Sequence, residues 1–339
     1  MWCAGILTVL AIVTTGAASA SHVKIIYDTD MDTDVDDVGA LAVLHALVDL
    51  GEADLLAVIH SSPVADGPVC VRAVNAWYGR ESVPVGWTNW PGWDSNPRYA
   101  HYRRAKALIK ERGSDYVPVI AAEYRRSKGG GKPPVQDGVS LYRKTLAAAE
   151  DGSVVICAVG QLAAIAGLME SGPDEYSVLS GPALVARKTK ALVTMAEIGF
   201  PEGKDGFNWR SDLPSAAKVV NNWPTRLAVM PLGASILTGG RLAAEGAAEN
   251  PCRLAYSIYV KDAHKLRSSW DLCAALYAVR GTGPWFREKT GYRVRLDAET
   301  GLCKWQEDAP SPQTLIEQAA PDESIREVLD ELLVQPPTR

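Results

Sequence analysis

The stretch 24–41 reads KIIYDTDMDTDVDDVGAL. It starts with a short apolar run of the kind found in buried strands, and it then places six aspartates within the ten residues 28–37. Beyond this loop the apolar residues recur at helical spacing, and Asp36 and Asp37 occupy positions where acids stabilise the first turn of a helix. The stretch therefore predicts a strand, an acidic loop and a helix.

Short apolar runs rich in β-branched residues alternate with alanine- and leucine-rich segments of helical length along much of the chain. The runs are 24–27, 55–59, 154–159, 191–195 and 227–230. This alternation predicts an α/β fold with a single open, mostly parallel, Rossmann-like sheet and helices on both faces. In such sheets, ligands bind beyond the carboxyl ends of the strands, which is where the acidic loop must lie.

Three other segments carry local predictions. Residues 125–134, with three consecutive glycines and two prolines, predict a mobile surface excursion, because the alternation of strands and helices resumes beyond them. Residues 292–305 predict a hairpin that turns at 298–301, and residues 321–333 predict an amphipathic final helix. We see no repeat or domain linker, so we expect residues 21–339 to form a single domain.

The first 20 residues carry no charged side chain, contain an apolar run at 6–13, and end in the small residues Ala18, Ser19 and Ala20. This pattern predicts a signal peptide cleaved near Ala20, and an exported mature protein that is periplasmic or secreted. No basic residue precedes the apolar run, so an ordinary buried N-terminal segment stays open as an alternative. No later stretch approaches the roughly 20 apolar residues of a membrane helix, so we expect no membrane span in the mature protein.

The composition and net charge indicate a globular protein and argue against a nucleic-acid partner. Of the 339 residues, 47% are hydrophobic and 22% are charged, which suits a globular protein with a large core. The formal net charge is -5, and the lysines and arginines are scattered rather than gathered into a basic stripe. Nucleic acid is therefore not an expected partner.

The cysteines predict neither a zinc site nor a disulfide framework. Cys3 lies in the predicted signal peptide, and the remaining five lack Cys-x-x-Cys spacing. Cys157 lies in an apolar run and Cys273 in a helical segment, so we expect both to be buried thiols. A disulfide that joins Cys252 to Cys70 or to Cys303 stays open.

The six carboxylates of the loop 28–37 would repel one another strongly unless solvent, protons or a cation compensates them. A hard divalent cation is the economical solution, and oxygen ligands without nearby His or Cys favour Ca²⁺ or Mg²⁺ over zinc. A solvated surface loop is the alternative. An EF-hand that begins at Asp30 is excluded, because its sixth and twelfth positions hold Val35 and Leu41 instead of Gly and Glu.

Residues 25–30, followed by Asp36, Asp37 and the run 38–41, resemble the signature of the inosine-uridine-preferring nucleoside hydrolase family, with two extra residues between the aspartate groups. Further segments that resemble the family follow in its order: 151–162, 207–217 and 269–271. The resemblance covers roughly residues 23–285. It implies calcium-dependent hydrolysis of the N-glycosidic bond of ribonucleosides or related N-ribosides, which releases base and ribose.

The resemblance also implies a metal centre. Asp30 would be the general base on the attacking water and a metal ligand, for which a carboxylate within hydrogen-bond reach is suitable. Asp37 and Asp271 would bind Ca²⁺ through their carboxylates, and Val159 would bind it through its backbone carbonyl. Asp28 would orient the loop, while Asp32 and Asp34 belong to the extra turn and receive no role.

Four residues would contact the substrate according to the same resemblance. Asp36 and Asn208 would hold ribose hydroxyls, and Met195 would approach the sugar. Trp270 stands where several family members have a histidine that protonates the leaving base, and its ring could stack on that base instead.

Other departures from the family pattern bear on the substrate. Gly206 stands where the family has an acidic residue, two positions before the sugar-binding Asn208, and the adjacent Asp205 is a candidate to replace it. The usual Gly-Gly after the fourth core strand is Ala196-Glu197, and the Asn expected after the second strand is missing. Together these departures predict a divergent specificity, such as for an N-riboside other than a common nucleoside.

Two other functions stay open. The chain could be an exported, non-catalytic protein that binds a ribosylated ligand with Ca²⁺, because the departures at Gly206 and Trp270 could mark lost turnover. It could also be an aspartate-loop phosphohydrolase with Asp28 as nucleophile, although such an enzyme would have Thr or Val at Asp32. A homo-oligomer is left open, since oligomers are common in the family and no apolar stripe here predicts an interface.

Overall fold

The structure is a computed structural model that describes residues 22–129, 135–261 and 266–338. The main sheet contains nine strands among these residues. In spatial order they are β11 (Phe286–Lys289), β14 (Gln313–Gln318), β8 (Arg226–Met230), β6 (Thr189–Met195), β5 (Val154–Ala158), β1 (Val23–Thr29), β2 (Ala53–His60), β3 (Val85–Trp87) and β4 (Gln136–Asp137). All neighbouring pairs are parallel except β11 with β14. The predicted open, mostly parallel sheet is therefore confirmed.

The helices lie between these strands along the chain. They are α1 (Asp36–Asp49), α2 (Gly67–Trp77), α3 (Ala100–Glu111), α4 (Val117–Ser127), α5 (Gly138–Ala148), α6 (Ala163–Glu170), α7 (Gly181–Lys188), α8 (Asn208–Ser211), α9 (Leu213–Asn222), α10 (Gly240–Glu245), α11 (Pro251–Val260), α12 (Trp270–Arg280) and α13 (Asp322–Val334). A 3-10 turn at Pro97–Tyr99 precedes α3. Two small sheets join β12 (Tyr292–Leu296), β13 (Leu302–Glu307) and β7 (Glu202–Lys204), and β9 (Leu237–Thr238) with β10 (Arg267–Ser268).

Side chains of the central strands alternate between two hydrophobic clusters, one on each face of the sheet. Ile25 and Tyr27 of β1 belong to the cluster that includes α1, α12 and α13, while Ile26 belongs to the cluster that includes α5, α6 and α9. Because both faces are buried, the central strands read as continuous apolar runs. The prediction of helices on both faces is confirmed.

All five predicted strand runs correspond to strands, namely β1, β2, β5, β6 and β8. The hairpin at 292–305 is confirmed by the antiparallel pair β12 and β13, and the final helix by α13. The prediction of a surface excursion over residues 125–134 is wrong for residues 125–127, which belong to a helix. Helix α4 continues to Ser127, and the Arg125 guanidinium pairs with the Asp66 carboxylate at 2.5 Å. The rest of that prediction largely falls on residues 130–134, which lie outside the described ranges.

The five described cysteines are free and buried. The predicted burial of Cys157 and Cys273 is confirmed, whereas neither disulfide of Cys252 that the sequence left open is formed. Within the described ranges, no helix combines the length and apolar character that crossing a bilayer requires. The predicted signal peptide lies outside the described residues, so export stays a prediction.

Candidate active site

The acidic loop lies at the carboxyl edge of the central strand. β1 ends at Thr29 and α1 begins at Asp36, and β1 is hydrogen-bonded on its two sides to β5 and β2. The residues that follow β5 and end β6, Val159 and Met195, reach the same edge. The position predicted from sequence is thereby confirmed, with the loop in the binding region of a parallel sheet.

Three carboxylates converge where two helices begin. Asp36 and Asp37 lie in the first turn of α1, and Asp271 lies in the first turn of α12, which packs against α1. One carboxylate oxygen from each of the three lies within 4.8 Å of the others. The backbone N–H of Asp271 donates to Asp36 Oδ2 at 3.2 Å, and Thr29 Oγ1 donates to Asp37 Oδ1. The three side chains are thus held in one buried group, the acidic cluster.

The acidic cluster needs positive charge or protons. Burial, followed by repulsion from neighbouring aspartates, raises the pKa of Asp37 and Asp271 well above its usual range. The Arg267 guanidinium lowers the pKa of Asp36, yet it forms its ion pair with Asp34, and burial keeps the pKa of Asp36 high. Since all these ligand atoms are oxygens, the residues present fit a hard divalent cation.

Asp30 lies beside the acidic cluster and is held by a glutamine. Gln161 Nε2 donates to Asp30 Oδ2 at 2.6 Å. A Cβ at Gly160 would lie 2.6 Å from the Asp30 backbone nitrogen and Oδ1, so only glycine allows this approach of the turn after β5. Burial raises the pKa of Asp30 to about 7, against the opposing effect of the Gln161 hydrogen bond. A carboxylate with such a pKa suits a general base near neutral pH.

Val159, Met195 and Asn208 form a second contact group next to Asp30. Asn208 Nδ2 donates to the Val159 carbonyl oxygen at 2.6 Å and lies 3.1 Å from Met195 Sδ. A carbonyl oxygen has two lone pairs, so one acceptor site of Val159 is left after this bond. The amide of Asn208 therefore links the turn after β5 to the end of β6.

The remaining loop aspartates have hydrogen-bond or ion-pair partners outside the acidic cluster. Asp28 accepts hydrogen bonds from Ser61 Oγ at 2.5 Å and Tyr142 OH at 2.6 Å. Asp32 pairs with Lys106 Nζ, and Arg267 Nε donates to Asp34 Oδ1 at 2.8 Å. The two carboxylates of the extra turn thus tie it to α3 and to β10.

A cavity of about 280 Å³ opens above these groups. All eight site residues predicted from the sequence line it: Asp30, Asp36, Asp37, Val159, Met195, Asn208, Trp270 and Asp271. Part of its wall comes from α3 and the residue after it, with Ala105, Leu108, Ile109 and Arg112. The structure brings the predicted residues together, and by distance it groups Asp36 rather than Asp30 with Asp37 and Asp271.

Asp205, the candidate to replace the missing acid at Gly206, is hydrogen-bonded to the backbone. Its carboxylate accepts the backbone N–H groups of Glu197, Phe207 and Trp209 at 2.8, 3.0 and 2.9 Å. Its Oδ1 therefore holds the residue pair after β6 and its Oδ2 holds the start of α8, while the residue also lines the cavity. Sequence reasoning assigned no role to Gln161, which lies in the segment 151–162, and it named Glu197 only as a departure from the family pattern.

Solved structures resemble this chain over most of its length. The inosine-uridine preferring nucleoside hydrolase from Bacillus anthracis matches with a TM-score of 0.60 and 16% identity, over 91% of this chain and 98% of that one. An inosine-guanosine nucleoside hydrolase gives 0.61 and 15%, over 91% and 98%. This chain has the nucleoside hydrolase fold.

The type III effector protein XopQ, solved in complex with adenosine diphosphate ribose, matches with a TM-score of 0.68 and 13% identity, over 94% of this chain and 95% of that one. No protein-family model matches the sequence, and no curated protein does either. The resemblance read from the aspartate motifs is confirmed for the nucleoside hydrolase fold. At these identities the fold does not determine the substrate.

We expect the metal-free protein to lose thermal stability as the pH rises from about 4 to about 7. The folded-state pKa values of Asp28 and Asp30 are about 7, above the ordinary 3.8, so the folded protein holds extra protons that are lost as the pH passes 7. A divalent cation bound at the acidic cluster would replace those protons near Asp30. The rise in Tm on adding Ca²⁺, measured by scanning fluorimetry against a chelator, should therefore be larger at the higher pH, and equal shifts would contradict this.

The Asp32–Lys106 pair predicts a stability effect at a distance from the chemistry. Asp32 is fully buried and the Lys106 side chain is 6% exposed, so Lys106→Met leaves a buried carboxylate without its cation. We expect a loss of about 3–5 kcal/mol in the free energy of unfolding, measured by urea denaturation. The double variant Asp32→Asn with Lys106→Met should regain most of it, and Lys110→Met, an exposed lysine on the same helix, is the control. A Lys106→Met protein as stable as this control would refute the role of the pair.

Proposed function

We propose that the chain is a calcium-dependent hydrolase of N-ribosyl compounds, which splits the N-glycosidic bond into a base and ribose. The observation that carries the proposal is the placement of Asp30 in one cavity with the acidic cluster of Asp36, Asp37 and Asp271. A positioned base and a cation site within the same cavity are the parts that metal-assisted hydrolysis requires. The fold, which this chain shares with two nucleoside hydrolases, supports this reaction class by analogy.

We assign the cation to Asp37, Asp271 and the carbonyl of Val159, with Asp30 at its edge. When bound, Ca²⁺ supplies a Lewis acid that polarises oxygen atoms of water and of the ribose diol. Asp36 belongs to the same acidic cluster and can also accept a hydrogen bond from a ribose hydroxyl. The choice of Ca²⁺ over Mg²⁺ follows the sequence resemblance, since oxygen ligands alone suit both ions.

The other side chains of the cavity act on the water, the sugar and the leaving base. Asp30 removes a proton from the attacking water, and the hydrogen bond from Gln161 Nε2 fixes which of its oxygens is turned away from that water. Asn208 and Met195 contact the sugar from the side of Val159. Trp270 faces the leaving base and offers an aromatic surface rather than an acidic proton.

A second candidate function is that of an exported protein that binds a ribosylated ligand without turning it over. The observation that favours it is the Trp270 side chain at the position expected for a proton donor, in a cavity that keeps its acidic cluster. The similarity to XopQ, solved with adenosine diphosphate ribose, is compatible with such binding. The phosphohydrolase alternative has less support, because its nucleophile Asp28 does not line the cavity and is hydrogen-bonded to Ser61 and Tyr142.

We expect the purified protein to release ribose from at least one of a panel of purine, pyrimidine and nicotinamide ribosides with Ca²⁺, and to release none with a chelator. Asp30→Asn should lower kcat by about 100-fold or more, because a positioned base contributes at least that factor. Its affinity for Ca²⁺ in calorimetry should stay close to that of the unchanged protein. Asp37→Asn should instead weaken Ca²⁺ binding by about tenfold or more, because it removes a charged ligand.

Asp54→Asn, at an exposed aspartate on the opposite edge of the sheet from the cavity, is the matched control and should change neither quantity. An unchanged rate in Asp30→Asn would refute the base assignment. Calcium binding without any ribose release across the panel would favour the binding-protein function.

A further inference from the structure

Trp270 is held in place along the wall of the cavity. It is half-buried at the start of α12, directly before Asp271 of the acidic cluster. Its indole Nε1 donates to Glu197 Oε1 at 2.7 Å, and the Arg267 guanidinium lies 5.0 Å from its ring centre. Arg267 is in turn paired with Asp34 of the acidic loop. The ring is therefore held on one side by Glu197, which follows β6, and on the other by Arg267.

Glu197 occupies space that Gly206 leaves free. A Cβ at Gly206 would lie 3.6 Å from Glu197 Oε2, so a longer side chain there would compete with this carboxylate for room. Glu197 is exposed and lines the cavity. Within the described ranges, its Oε1 accepts from Trp270 while its Oε2 has no hydrogen bond, so Oε2 is available to a ligand donor.

The cavity is lined by more acidic than basic side chains. Carboxyl groups come from Asp30, Asp34, Asp36, Asp37, Glu197, Asp205 and Asp271, against the two guanidinium groups of Arg112 and Arg267. Of these seven acids, Glu197 is solvent-exposed and stands outside the acidic cluster. No histidine or lysine is among the described residues that line the cavity, so the wall at Trp270 offers no cationic acid to a departing neutral base.

We propose that Glu197 and Trp270 form a subsite for an aromatic leaving group that already carries a positive ring charge and an amide donor, such as an N-ribosylated pyridinium carboxamide. This inference rests on the proposed hydrolase function for its chemistry. Arg267 covers one face of the indole, and the opposite face attracts a cationic ring, while the free Glu197 Oε2 accepts from the carboxamide N–H. The Glu197 carboxylate disfavours leaving groups that carry an acid.

The charge state of the ring removes the need for a proton donor. When the N-glycosidic bond breaks, its electron pair returns to the ring nitrogen and cancels the positive charge, so the ring leaves as a neutral molecule. The water oxygen bonds to the anomeric carbon, and its proton passes to the Asp30 carboxylate. Trp270, which cannot protonate a base at neutral pH, is therefore no obstacle to this substrate class.

Three ligands separate the parts of the proposal. Nicotinamide riboside carries the ring charge and the carboxamide. Nicotinic acid riboside has the same pyridinium–ribose bond with a carboxylate in place of the amide, and the carbon-linked benzamide riboside is an uncharged isostere. Calorimetry with the Ca²⁺-loaded Asp30→Asn protein measures binding of each ligand without turnover. Nicotinamide riboside should bind about tenfold or more tightly than nicotinic acid riboside, and more tightly than the isostere.

Glu197→Gln should abolish most of the preference for the amide over the acid, because Gln can still accept the Trp270 N–H but does not repel a carboxylate. Glu202→Gln, at an exposed acid of β7 outside the cavity, is the matched control and should keep the preference. Equal binding of the two pyridinium ribosides, no binding of either, or a preference unchanged in Glu197→Gln would overturn the subsite. A preserved preference in a protein that releases no ribose from any riboside would support the subsite while refuting the hydrolase function.

Discussion

Burial of carboxylates at the carboxyl edge of β1 is the constraint on which the rest of the structure depends. Removing an ionised carboxylate from water is costly unless hydrogen bonds, a cation or protons compensate it. The loop meets this cost in different ways along its length. Asp28 is satisfied by the hydroxyl groups of Ser61 and Tyr142, and Asp32 and Asp34 by the cations of Lys106 and Arg267.

The acidic cluster of Asp36, Asp37 and Asp271 accepts hydrogen bonds from Thr29 Oγ1 and from the Asp271 backbone, but it forms no ion pair in the described part of the chain. Its carboxylates come together at the beginnings of two helices. This division explains why the loop needs extra residues. The extra turn does not add ligands to the acidic cluster. Instead it anchors α3 and β10, which carry the wall of the cavity and Arg267, to the same loop that holds Asp30.

The elements of the fold that could be predicted are those whose residue pattern is complete within one short segment of the sequence. Strands β1, β2, β5, β6 and β8 are buried on both faces, so their apolar runs are visible without any partner. The last two strands at one end of the sheet, β3 and β4, have three and two residues, too few for a pattern. β14 contains Gln313, Glu317 and Gln318 among its six residues. The ion pair of Asp32 with Lys106 joins residues 74 positions apart, and only the tertiary fold brings them together.

The departures from the family pattern are visible in the sequence, but the sequence does not show that they lie close together. Glu197, Gly206 and Trp270 are separate anomalies along the chain, yet in the structure they meet at one wall of the cavity. Sequence spacing could not relate them, because Glu197 and Trp270 are 73 residues apart and come from the end of β6 and the start of α12. The three departures from the family pattern therefore belong to one local arrangement of side chains.

We propose that the acidic cluster is a cation centre, which can be examined in a crystal structure of the protein grown with Ca²⁺. We expect one ion bound by carboxylate oxygens of Asp37 and Asp271, with Asp36 and the Val159 carbonyl at the same centre. An ion-free cluster at millimolar Ca²⁺, with the three carboxyl groups hydrogen-bonded to one another through retained protons, would contradict it.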